Sequence, residues 1–99
     1  MSTDARKFLE KKVGRLSLGR SLRAIRLAEE ESQTNFAKKL GLSVQYLCDL
    51  EHDRKLVSPK KAQSFAKTLG YPPEQFVTLA LQDALNYYDI PMHVEVSAA

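Results

Sequence analysis

Ninety-nine residues suffice for one modest core and exclude a second domain. A hydrophobic share of 43% beside 27% charged residues is that of a globular chain; no run approaches the roughly 18 apolar residues of a membrane span, and MSTDARKFLEKK mixes acids and bases where a signal peptide needs an apolar stretch, so a cytoplasmic protein is expected. The net charge of +3 is unevenly spread: residues 1–67 hold all fifteen Lys and Arg against eight acids, a net of +7, while residues 68–99 hold four acids and no Lys or Arg, a net of −4.

Residues 1–16 place Phe8, Leu9, Val13 and Leu16 at approximately helical spacing among basic residues, which predicts a short extra helix. A globular unit is expected over residues 17–88. Ser17 is a good N-cap for a first core helix LGRSLRAIRLAEE, with Leu18, Leu22 and Ile25 on one buried stripe and Arg20, Arg23 and Arg26 on another face. Ser32 caps a second helix that stops at Leu40-Gly41, and Ser43 caps a third. After the basic loop HDRKLV, Ser58-Pro59 opens a fourth helix that ends at Gly70. Pro72-Pro73 opens a fifth, PEQFVTLALQDALNYY, whose apolar band is wider than one core contact requires. Residues 89–99 change period: Ile90, Met92, Val94 and Val96 alternate with Pro91, His93 and Glu95. A lone strand on an all-α body has no sheet to join, so this tail pairs with its copy in a dimer, adds to a partner's sheet, or frays.

Residues 32–51, SQTNFAKKLGLSVQYLCDLE, carry the most specific signal. Ala37 permits close approach of two helices, Gly41 tolerates positive φ, and Leu47 returns an apolar side chain to the core. Phe36, Leu40, Leu42 and Leu50 fall where the buried faces of a tightly turned helix pair need apolar residues. Such a pair can lay one helix in the major groove of DNA, and the positive charge lies in the same part of the chain. Enzyme chemistry is not expected. His52 and His93 lack companion ligands or a triad, Cys48 can form neither an internal disulfide nor a zinc site, and no glycine-rich phosphate loop or other cofactor signature occurs.

Arginine in the first helix, S-Q opening the second, A-x-x-L-G-x-S, Y-L-x-x-L-E and the closing A-K-x-L-G together resemble the lambda-repressor-like (Xre, or Cro/C1 type) helix-turn-helix family across about residues 18–76. The resemblance implies a five-helix fold, a homodimer on double-stranded DNA, and transcriptional regulation, most often repression. It places Val44, Gln45 and Asp49 at base edges: Gln45 can pair with adenine N6 and N7, Val44 can touch a thymine methyl, and Asp49 can accept from cytosine N4. It places Gln33, Ser43, Tyr46, Arg54, Lys55, Lys60 and Lys61 at the DNA backbone, and makes Arg26 and Glu51 a partly buried structural ion pair. Phe76, Leu81, Leu85, Ile90, Met92, Val94 and Val96 are the expected dimer or partner surface.

Two residues depart from the family pattern. Asp53 stands where glycine is common, tolerable in a left-handed conformation but with an acid near the expected phosphate loop. Asp49 would repel phosphate unless it accepts a base donor; the other reading is a surface acid or the partner of a nearby lysine. A narrower resemblance, L-C-D-x-E followed by V-S-P and a short apolar tail, is to regulators some of which are antitoxin-like. It implies an alternative in which the acidic last third covers a basic toxin.

Overall fold

The computed structural model describes residues 16–99, so the short helix expected in residues 1–16 lies almost wholly outside the described residues. Five helices follow in chain order: α1 (Leu18–Ala28), α2 (Gln33–Leu40), α3 (Val44–Glu51), α4 (Pro59–Leu69) and α5 (Pro73–Tyr87). The first four begin the same way. The hydroxyls of Ser17, Ser32, Ser43 and Ser58 accept from the amides of Arg20, Asn35, Tyr46 and Lys61, each satisfying one otherwise unpaired N–H of the first turn. α5 has no side-chain cap and starts on Pro72 and Pro73, whose ring fixes the helical φ.

All five helices also end alike. A left-handed residue follows each, with φ of 56° at Glu30, 72° at Gly41, 57° at Asp53, 78° at Gly70 and 55° at Asp89. The next amide then reaches back five residues: Glu31 to Arg26, Leu42 to Ala37, Arg54 to Asp49, Tyr71 to Ala66 and Ile90 to Leu85, at 2.8–3.0 Å. This is the Schellman closure, made by glycine at the two helix ends where glycine was expected and by an acid at the other three.

The stops fold the apolar stripes onto one core. Leu18, Leu22, Phe36, Ala37, Leu47, Leu50, Val57, Ala62, Phe65, Ala66, Phe76 and Ala80 are buried, with Ile25, Leu40, Leu42 and Tyr46 packed at its edge. Burying each large side chain stabilises the fold by about 1.5–3 kcal/mol. α1 comes so close to the end of α3 that a Cβ on Gly19 would overlap the Leu50 carbonyl.

One expectation for the last third is corrected. Phe76 cannot belong to a partner surface, because it is only 1% exposed and stacks on Tyr71 within the core. Its spacing suits either face of α5, and the α4–α5 packing claims it. Residues 89–99 form no strand within this single chain among the described residues. The tail runs along α5, held by one side chain: Gln82 Nε2 donates to the Met92 carbonyl at 2.9 Å, and Gln82 Oε1 accepts from the Val94 amide at 2.8 Å. Val94 and Val96 are half-buried, whereas Met92 is 67% exposed.

Candidate nucleic-acid interface

α2 and α3 are separated by Gly41, Leu42 and Ser43, a turn short enough to hold the pair at a fixed angle. The inner face of α3 gives Leu47 and Leu50 to the core, which leaves Val44 and Gln45 exposed at its first turn, with Cys48 and Asp49 half-buried a turn later.

The far end of α3 is fixed by Glu51, 3% exposed. Arg26 of α1 binds it through one edge of the guanidinium in a bidentate pair, Nε to Oε2 at 2.8 Å and Nη2 to Oε1 at 3.0 Å. Gln33 of α2 adds Nε2 to Oε1 at 3.0 Å, so one carboxylate ties three helices. Burial pushes the Glu51 carboxyl up, but the Arg26 and Gln33 hydrogen bonds outweigh it and hold it below the ordinary range. The Arg26 guanidinium is raised by the same bond to Glu51. Arg26 and Glu51 thus form the ion pair expected of them, and the Gln33 amide nitrogen is turned to Glu51.

Asp49 resolves one of the two departures. Its Oδ1 accepts from Arg54 Nε at 2.9 Å and from Gln45 Nε2 at 3.1 Å. The hydrogen bond from Arg54, together with that from Gln45, draws the Asp49 carboxyl down, and Asp49 in turn raises Arg54. The cation that meets Asp49 is therefore an arginine five residues on, rather than a lysine. Asp53 resolves the other. Its carboxylate is turned to α1, accepting from Ser17 Oγ and from Arg20 Nε, the latter at 3.0 Å, and not toward the loop lysines. The acid closes α3 and bridges to α1.

The loop and α4 bring their cations to α3. Lys61 Nζ lies 4.7 Å and Lys55 Nζ 5.6 Å from the centre of the Tyr46 ring, a cation–π arrangement that gathers two positive charges on the side chain next in sequence to Gln45. Lys60 is exposed on the first turn of α4. On α5 and just beyond it Leu81 and Leu85 are half-buried, and Ile90 is 38% exposed. Among the described residues no group of His, Cys, Asp and Glu is placed to hold a metal ion, and no helix is long and apolar enough to cross a membrane.

Sequence reasoning passed over Gly19, the Asp53 bridge to α1 and Gln82. Each acts on a partner ten or more residues away, which no local pattern reports.

A paired-helix unit with an exposed reading edge and clustered lysines is the geometry of a DNA-binding domain. The family model described as helix-turn-helix matches residues 22–76, more than half of the chain, which therefore belongs to this lambda-repressor-like, Xre-type family of DNA-binding transcriptional regulators. No curated protein and no solved structure matches the chain.

Proposed function

We propose that the chain acts as a homodimeric repressor that reads a specific operator through the major groove. α3 is the reading helix, with Gln45 and Val44 facing base edges. Gln33, Ser43, Tyr46, Arg54, Lys55, Lys60 and Lys61 lie along the DNA backbone. The observation that carries this reading is the pair of lysines gathered on Tyr46 of α3, one residue along the helix from the exposed Gln45, which sets a phosphate-binding group on the helix that carries a base-reading amide. Two copies related by a twofold axis would read half-sites about one DNA turn, near 34 Å, apart. Leu81, Leu85, Ile90, Met92, Val94 and Val96 supply the surface between the copies. Selection from a random duplex pool, followed by a salt titration on the selected site, tests the reading. Equal affinity for selected and random duplex, or affinity that stays flat as salt rises, would refute it.

A second reading adds a protein partner. The −4 charge of residues 68–99 and a tail held extended by Gln82 suit an antitoxin that covers a basic toxin. A chain cut after Asp89 that still dimerises and represses, with no partner purifying alongside the full-length chain, would refute that reading.

A further inference from the structure

We infer that Asp49 is a positioning residue for base recognition: braced by Arg54, it fixes the Gln45 amide so that the reading helix accepts adenine and rejects guanine. This rests on the DNA-reading role proposed above for α3, and it assigns Asp49 a task other than contacting a base itself.

Gln45 and Asp49 lie four residues apart on α3, the spacing at which helical side chains meet, and Gln45 Nε2 is 3.1 Å from Asp49 Oδ1. A carboxylate only accepts hydrogen bonds, so the amide has one favourable orientation: nitrogen toward Asp49, oxygen away. Arg54 holds the same Oδ1 at 2.9 Å, which keeps Asp49 in place and offsets a negative charge that would otherwise face phosphate. The Asp49 side chain is only 16% exposed, whereas Gln45 is exposed and keeps its outer groups available.

Gln45 then presents outward the second N–H of Nε2 beside Oε1, one donor and one acceptor in fixed order. Adenine offers the complement in the major groove, N7 as acceptor and N6–H as donor, whereas guanine offers two acceptors, N7 and O6. An amide free to swivel can turn its NH2 group toward both guanine acceptors. One held by Asp49 sets Oε1 against O6 and repels it.

The preferred duplex is selected from a random pool with the unaltered protein. That protein, Q45A, D49A and Q45A/D49A are then titrated against it and its single-base variants, with thermal unfolding establishing that each is folded. The unaltered chain should favour adenine over guanine at one position per half-site by roughly 5- to 150-fold, the range given by about 1–3 kcal/mol for a bidentate base contact. Q45A should abolish that preference. D49A should reduce it to less than about threefold at the same base pair, chiefly by admitting guanine, and the double variant should discriminate no worse than Q45A. Should D49A unfold, D49N preserves the side-chain volume. Its amide can offer either an oxygen or an NH2 group to Gln45, so the preference should fall to an intermediate value.

If D49A keeps the adenine preference and changes selectivity at a neighbouring base pair, Asp49 reads a base directly and the inference is wrong. A uniform change in affinity across all duplexes overturns it equally, since that reports only the charge of Asp49 or the release of Arg54. In both cases the DNA-reading role stands. Loss of any difference between selected and random duplex in the unaltered protein sinks that role as well.

Discussion

Replacing Gly19 with alanine sets two effects of opposite sign against each other. Gly19 lies in the first turn of α1, where alanine's advantage over glycine is at most the roughly 1 kcal/mol of a helix interior, so local propensity alone makes G19A stabilising. The contact with α3 opposes it. The new Cβ would sit 2.7 Å from the Leu50 carbonyl carbon, where ordinary contact begins at 3.4 Å, a shortfall of about 0.7 Å, and it would overlap the carbonyl oxygen outright. Overpacking costs about 1–3 kcal/mol where side chains can yield. Here the obstacle is backbone at the end of α3, so the cost should reach or exceed the upper figure and leave a net loss of at least about 2 kcal/mol. For a domain of this size that lowers Tm by about 8–16 °C. Circular dichroism melts of the unaltered protein, G19A and the exposed-site control A24G decide the matter. A24G should lose about 1 kcal/mol from propensity alone. A G19A protein melting at or above the unaltered one would refute the close approach of α1 and α3.

Further outcomes follow from the anchor, the lysines and the tail. E51A strands Arg26 and Gln33 and should cost about 3–5 kcal/mol in urea unfolding at pH 7. Because the Glu51 carboxyl is held below its ordinary range, its contribution is complete above the unfolded value of about 4.3 and is lost as pH falls through the lower folded value. Stability should therefore drop on the acid side of about pH 4.3, and E51Q should flatten that limb. K55A and K61A should weaken binding about equally on all duplexes, lower the salt slope by about 0.9 for each phosphate left without its lysine, and move stability by no more than about 0.5 kcal/mol. Q82A removes the hydrogen bonds to the Met92 carbonyl and the Val94 amide; hydrogen exchange at Val94 should accelerate while global stability falls by about 1 kcal/mol.

The helix-turn-helix was legible because its determinants are local. Ser32, Gly41 and Ser43 act within a few residues of themselves, and the apolar stripe through Phe36, Ala37, Leu47 and Leu50 follows the helical period. The Arg26–Glu51 pair was reached only through the family resemblance, since 25 residues separate the two. The left-handed residue at Asp53 was foreseen, but the direction of its carboxylate depends on where α1 lies and could not be read from neighbours. Phe76 was misassigned for a related reason. An apolar band on α5 shows that something covers each face, and only the position of α4 shows which face is covered within the chain. The Asp49–Arg54 bond lay within reach, at a spacing of five residues, but it runs from a helix into a loop whose path no periodicity describes.

The carboxylate of Glu51 works as a hinge pin at one end of a lever. Gln45 lies six residues away, about 9 Å along the helix axis at 1.5 Å per residue. A tilt of about 6° at the pin therefore carries the Gln45 end sideways by about 1 Å, enough to miss a hydrogen bond. A substitution at Arg26, which is outside the proposed DNA-contact set, can thus displace the exposed Gln45 end of α3.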